Sequence, residues 1–454
     1  MSNIWERAQG VLDRTSPIVA RGLVTDVTGL IVEGSGPAVG VGTTCTIVQG
    51  SARVEAQVVG FKRDKVLLMP FDELYGIAPG ASIISHGETS KVLVSQNLLG
   101  RVIDPMGVPL DNRPQITEGE EVPIYQRPPS PLKRDRINDT FDVGIRAVNS
   151  LLTIGRGQRM AVMAGSGVGK STFLGMLARH SRSSVNVIAL VGERGREVRE
   201  FIERDLGPEG MARSVIVVAT SDASALLRIR CAFVATAIAE YFRDQGHDVC
   251  FMLDSITRFC MAQREIGLAI GEPPSTNGYT PSVFALLPKL MERAGRKEGA
   301  GAITGFYTVL VEGDDMNEPI ADAVRGILDG HIILSRALAG RGQYPAIDVL
   351  QSVSRVMSDI VPREKLLLAQ EARKVLADYL EAEDLITIGA YKQGQNPKVD
   401  YAVAHIDDLL RFLKQRPEEG VGVDVSDATL ASVFNKRVEV AEKVTAYRRP
   451  EAMY

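Results

Sequence analysis

One stretch of this chain limits its fold more than any other. In RMAVMAGSGVGKSTFLGMLARH, an apolar run, Met160–Met163, meets a glycine-spaced loop, Ala164-Gly165-Ser166-Gly167-Val168-Gly169-Lys170-Ser171. From Thr172 onward, Phe173, Leu174 and Leu177 fall on one helical face. A strand that turns through such a loop directly into a helix is the phosphate-binding corner of a parallel α/β sheet. Glycines let backbone N–H groups approach phosphate oxygens, the helix N-terminus adds partial positive charge, and a lysine reaches the outer phosphates. Lys170 is that lysine, and Ser171 offers a hydroxyl to Mg²⁺. Gly165, Ser166, Gly167, Val168, Gly169 and Thr172 complete the expected cradle for a nucleoside triphosphate. Ala164 stands where the motif usually opens on glycine.

Two later apolar runs end in carboxylates. VNVIALVGERGREVREF places Glu193 at its close, and DVCFMLDSITRF carries Val249–Leu253 ahead of Asp254. Open α/β sheets gather ligands at strand C-termini, so both carboxylates are candidates for the same site. At Glu193 a carboxylate can orient and polarise the water that attacks a γ-phosphate. The same residue is compatible with a surface ion-pair cluster among Arg194, Arg196, Glu197 and Arg199. Asp254 suits Mg²⁺, held opposite the loop and commonly through water, although an aspartate there can also cap the next helix.

The rest of the chain divides around this core. A length of 454 residues suits two or three domains, because single cores stop growing near about 250–300 residues. Residues 1–95 are short β-prone runs broken by glycine, such as ARVEAQVVGF and KVLLMPF, which suggest a small antiparallel barrel or sandwich. An entry segment, 96–135, contains the proline-rich stretch Pro105–Pro131, expected to be an extended linker. Strand and helix patterns alternate through the core to residue 361, and residues 362–454 read as helical. A formal charge of −4 gives no bulk attraction to nucleic acid. Cys45, Cys231, Cys250 and Cys260 lack metal-ligand spacing and read as buried thiols of a reducing compartment. The start carries no signal-peptide core, and no apolar run approaches the roughly 18 residues that span a bilayer, so a cytoplasmic protein is expected.

Longer wording goes beyond the motifs. PAIDVLQSVSR (345–355) resembles the signature of the F-type, V-type and secretion ATPases, and GERGRE resembles their catalytic-glutamate segment. Together with MAQREIGLAIGEPPSTNGYTPSVFALLPKLMERAG, EGDDMNEPIADAVRGILDGHIILSR and IGAYKQGQNPKVDYAV, the chain is similar to the flagellum-specific type III export ATPases. The resemblance implies an α/β fold: a RecA-like P-loop core with an N-terminal small β-barrel domain and a C-terminal helical domain. It implies ATP and Mg²⁺ as the ligands, Glu193 as the catalytic carboxylate with Arg194 beside it, and Asp254 as the Walker B aspartate. Tyr344 falls where the family stacks a tyrosine on adenine, and Arg355 where a neighbouring subunit donates an arginine finger. By residue type alone, Tyr344 reads as a core aromatic and Arg355 as a surface charge. The second adenine-facing aromatic of rotary catalytic subunits is missing around Arg416 and Pro417.

The implied setting is a homohexamer at the inner face of the cytoplasmic membrane. It would work with export-gate membrane proteins, export substrates and chaperones. At the N-terminus, Ile4, Trp5, Ala8, Val11 and Leu12 share one helical stripe. That stripe either packs on the chain's own barrel or, as the resemblance implies, docks a stator-like regulatory protein, with peripheral membrane contact. The competing functions are the virulence injectisome counterpart, an ATP synthase subunit, and a Rho-like RNA translocase. The last would need an RNA-binding barrel rich in exposed aromatics, which Trp5, Phe61, Phe71 and Tyr75 hardly supply.

Overall fold

The computed structural model describes residues 20–435, apart from Glu312 and Asp314. The stripe from Ile4 to Leu12 therefore lies outside the described residues. The glycine-broken runs of the first region form a closed antiparallel barrel. Its spatial order is Arg21–Thr28, Ile31–Gly34, Lys65–Pro70, Ala52–Lys62, Thr43–Gln49 and Ser82–Thr89, the last pairing back to the first. Alternation along the strands turns Val24, Val32, Ile47, Val58, Leu68 and Ile83 into the barrel core. Closure is the barrel's answer to unpaired strand edges, and it decides between barrel and sandwich.

The core is a mostly parallel sheet that shares its order with no simple reading of the chain. From one edge it runs Val353–Ser354, Gly330–Leu334, Arg159–Ala164, Ala302–Leu310, Asp248–Asp254, Val185–Glu193, Ser214–Thr220 and Arg101–Ile103. Ala302–Leu310 is thus inserted between the strand feeding the glycine loop and the strand bearing Asp254. Strand alternation gives the sheet two apolar faces. On one, Ala161, Met163, Val187 and Ala189 pack with the helix Ala225–Asp244. On the other, Val162, Ala164, Ile188 and Leu190 pack with the helix Lys170–His180 through Phe173, Leu174 and Leu177. The C-terminal helices Arg363–Thr387, Pro397–Leu413 and Val423–Val433 join that second face through Leu368, Ala372, Leu409 and Phe412.

The proline-rich stretch is extended, as its prolines require, but it is not free. Glu120–Pro123 pairs antiparallel with Lys91–Val94, and Ile124 behind it is fully buried. The Ile124 carbonyl accepts a 2.6 Å bond from Arg293, a fully buried arginine that also donates to both oxygens of Glu240, at 3.0 and 2.5 Å. All four cysteines are free and buried. No helix among the described residues is long and apolar enough to cross a membrane.

Candidate nucleotide site

The strand Arg159–Ala164 delivers the chain to the C-terminal edge of the sheet, where the loop turns back into the helix Lys170–His180. Gly167 and Gly169 adopt φ of +78° and +93°, a left-handed conformation that side chains resist, and Gly169 is the residue that caps the helix. Ser166 and Gly167 are exposed at the loop crest, Gly165 and Val168 are buried beneath it, and Ser171 and Thr172 sit half-buried in the first helical turn. The helix begins at Lys170, two residues earlier than its apolar spacing suggests, because the loop glycine supplies the cap.

Lys170, Glu193 and Asp254 meet above this edge. The Lys170 ammonium lies 3.0 Å from Glu193 Oε1 and 2.5 Å from Asp254 Oδ1. The surface-cluster reading of Glu193 fails, since Arg194, Arg196 and Arg199 pair instead with Glu197, Glu200 and Glu203. The cap reading of Asp254 fails too: the cap of the following helix, Ile256–Ala269, is Ser255, whose hydroxyl accepts from the Arg258 amide. Burial pushes the Glu193 pKa above that of an ordinary carboxylic acid, Glu197 adds to the rise, and Lys170 opposes it. Burial pulls the Lys170 ammonium down, but Asp254 and Glu193 outweigh it and hold its pKa above the ordinary lysine value.

The Tyr344 ring lies beside the loop. A Cβ placed on Gly169 would meet its ring at 3.7 Å. The ring is 48% exposed, which sets it apart from a core aromatic, and it borders a cleft of about 450 Å³ lined also by Arg146, Gly342, Gln415, Arg416 and Pro417. The position without a second aromatic thus lines the same cleft as Tyr344. Arg194 is exposed and turned 3.7 Å from Glu197, outside the Lys170 cluster. Arg355 is exposed at the other end of the sheet. Its amide donates to Asp329 and its guanidinium to the Arg325 carbonyl, while Asp329 bonds to Arg159 at the start of the loop-feeding strand.

Sequence reasoning missed two groups here. Thr308, fully buried on the inserted strand, lies with its hydroxyl 2.7 Å from Asp254 Oδ1, the oxygen that Lys170 also contacts. The one aliphatic hydroxyl in the FYTVL run was the available signal. Arg258 runs its side chain against Gly192, next to Glu193, and its buried Nε has no hydrogen-bond partner. An orphaned guanidinium nitrogen beside the strand end that carries Glu193 is a fit for an anionic ligand.

Fold and geometry together define a P-loop ATPase of the RecA-like type. The family models agree along the chain. Residues 24–87 match the ATP synthase alpha/beta family, beta-barrel domain; residues 144–354 match its nucleotide-binding domain; and residues 361–432 match the T3SS EscN ATPase C-terminal domain. A Bacillus subtilis protein named flagellum-specific ATP synthase is 53% identical over 93% of this chain and 97% of its own. A Xanthomonas euvesicatoria type 3 secretion system ATPase is 51% identical over 88% of this chain and 90% of its own. Among solved structures, the assembled ATPase EscN of the enteropathogenic E. coli type III secretion system superposes with a TM-score of 0.86 at 43% identity, covering 91% of this chain and 99% of that one. The chain belongs to the ATP synthase alpha/beta family, in its branch of flagellar and type III secretion ATPases.

Proposed function

We propose that this ATPase energises flagellar type III export, releasing and unfolding export substrates from their chaperones at a membrane gate. The observation that carries the reading is the meeting of Lys170, Glu193 and Asp254 over the glycine loop. The full-length relatives named flagellum-specific, at 49–53% identity in three species, support the flagellar setting.

The residues fit both ligands. Gly167, Gly169 and the orphaned Arg258 Nε suit phosphate oxygens. Two carboxylates share one ammonium, so the cluster accommodates a further cation. Ser171 and Asp254 would hold Mg²⁺, which offsets phosphate charge when bound. Lys170 exchanges its carboxylate partners for the outer phosphate oxygens. Glu193, released from Lys170, takes the proton of the attacking water, and its raised pKa makes it the better acceptor. Tyr344 stacks on adenine beside the loop.

Arg355 completes a neighbour's site. Its backbone is level with Arg159, and five strand residues at about 3.3 Å each separate that level from Ala164, roughly 16 Å in all. An arginine held there cannot reach its own loop. A homohexamer supplies every site with both parts. In this reading residues 1–14 dock a stator-like regulatory protein, and the ring sits peripherally at the inner face of the cytoplasmic membrane.

Mixed rings test the division of labour. Lys170→Ala subunits keep the arginine and lose the cradle, while Arg355→Ala subunits do the reverse, so each alone should be nearly inactive. Mixing them should restore part of the hydrolysis, an arginine finger being worth about 10³–10⁵ in rate. Co-assembly checked by light scattering without any returning activity would confine Arg355 to a structural role. The relative named type 3 secretion system ATPase, at 51% identity, supports the injectisome as the second reading. Expression in a strain lacking its flagellar ATPase should restore swimming; rescue of virulence secretion alone would replace the flagellar reading.

A further inference from the structure

Gln415 is a buried side chain, 5% exposed, at a place where burying an amide demands a reason. Both polar atoms of its side chain are used. Its Oε1 accepts from the Arg146 amide at 2.8 Å, and its Nε2 donates to the carbonyls of Gly144 and Glu419, at 2.8 and 2.7 Å. Its own amide donates to the Tyr344 carbonyl at 3.0 Å. Three segments far apart in sequence are tied through this one residue: the turn before the helix Arg146–Leu151, the Tyr344 loop, and the loop after the helix Pro397–Leu413. All three line the cleft of about 450 Å³ beside the phosphate loop.

The other side of that last loop is anchored as well. The Pro417 carbonyl accepts from Arg179 Nη2 at 2.8 Å and lies 2.8 Å from His180 Nε2, and both residues close the same helix that begins at Lys170. Two anchors therefore hold Arg416 and Pro417 in the same cleft as Tyr344, whose ring is the one aromatic among the described residues that line it.

We propose that Gln415 is a positioning residue for the base pocket, holding Tyr344 and the 414–419 loop at the spacing a purine base requires. The proposal rests on the reading of Tyr344 as the adenine-facing ring. It separates binding of the base from binding of the phosphates, because Gln415 touches only the elements of the cleft and none of Lys170, Glu193 or Asp254. A glutamate at 415 keeps the shape but turns an acceptor oxygen toward the carbonyls of Gly144 and Glu419, so it opens the pocket without emptying it. A leucine keeps the volume and removes all three side-chain bonds.

The test compares ATP with inorganic tripolyphosphate, which presents phosphates and no base. In Gln415→Glu and Gln415→Leu, the KM for ATP should rise about tenfold with kcat within about twofold of wild type. Inhibition by tripolyphosphate should stay within about twofold, since the phosphate cradle is untouched. Tyr344→Ala is measured beside them. If Tyr344→Ala raises KM and the Gln415 variants do not, Gln415 is only structural and the proposal is overturned. If none of the three moves KM, the base lies elsewhere and the reading of Tyr344 fails first. Equal weakening of ATP and tripolyphosphate, or a fall in kcat that matches the rise in KM, would mean a general distortion and also overturns it. Circular dichroism melts of each variant identify any that do not fold, and Gln415→Glu, the isosteric change, then carries the decision.

Discussion

Arg293 with Glu240, and Lys170 with Glu193 and Asp254, are two buried ion clusters of one sheet-and-helix core, and they are assembled on opposite principles. In the first, one guanidinium meets one carboxylate, both its oxygens are used, and the side chains are 0% and 6% exposed. The remaining guanidinium nitrogen goes to the Ile124 carbonyl and pins the proline-rich strap. In the second, one ammonium serves two carboxylates, and all three side chains keep 5–13% of their surface in reach of solvent. A balanced, closed pair resists change because any lost partner strands a buried charge. An unbalanced, open cluster leaves its surplus charge available to a ligand. That a cluster is buried thus says little about its purpose, whereas the count of charges says a good deal.

The comparison can be broken most decisively at Glu193. Glu193→Gln should lower turnover by about 10²–10⁴ while nucleotide affinity changes only a few-fold, read by phosphate release beside equilibrium binding. Near-normal turnover would make the second cluster as structural as the first. Next in size is Glu240→Gln or Arg293→Met, which should cost about 3–5 kcal/mol in urea unfolding, with kcat of the folded fraction unchanged. A stable Arg293→Met protein would remove the contrast from the other side.

The third expectation separates the clusters by sign. Because the folded state raises the Glu193 pKa, it favours the protonated acid, so this group's stabilising contribution is present at low pH and is lost as pH rises through the folded value. The nucleotide-free Glu193→Gln protein should therefore melt at the same temperature as wild type or higher near neutral pH, and that advantage should shrink as the pH is lowered toward the ordinary carboxylic range. Wild-type turnover should fall over the same descent, as the base takes up its proton. A Glu193→Gln protein that melts lower at neutral pH would place Glu193 among the balanced pairs. The smallest effect is expected at Thr308. Thr308→Val keeps the shape and removes one bond to Asp254, so the gain in nucleotide affinity on adding Mg²⁺ should weaken by about tenfold, or 1.4 kcal/mol, and Thr308→Ser should restore it. An unchanged gain would leave Lys170 as the sole support of Asp254.

What the sequence made legible follows the same division. The glycine loop, Glu193 and Asp254 were readable because each ends a strand within its own local motif, and strand ends converge in a parallel sheet whatever the order of its strands. The barrel strands were readable from glycine breaks, although only pairing of Ser82–Thr89 back to Arg21–Thr28 distinguishes a barrel from a sandwich. The strap read as a linker because its strand partner, Lys91–Val94, and its buried anchor, Arg293, are set by distant parts of the chain. Thr308 and Gln415 escaped for a similar reason. Their meaning lies in bonds across 54 and 271 residues of sequence, and neither residue type carries a pattern of its own.

The placement of Arg355 level with Arg159, at the end of the sheet away from its own loop, has a consequence for symmetry. A site built from the loop end of one copy and the Arg355 edge of the next brings two different surfaces together, which is a heterologous contact and excludes a two-fold axis between neighbours. Such contacts close into a ring only when the rotation per copy divides a full turn; otherwise they grow as an open helix. Each copy then has a giving side and a receiving side. With Arg355 in its proposed role, hydrolysis at one site would be felt first by the copy that lent the arginine, and any order in firing around the ring would have a handedness fixed by the chain itself.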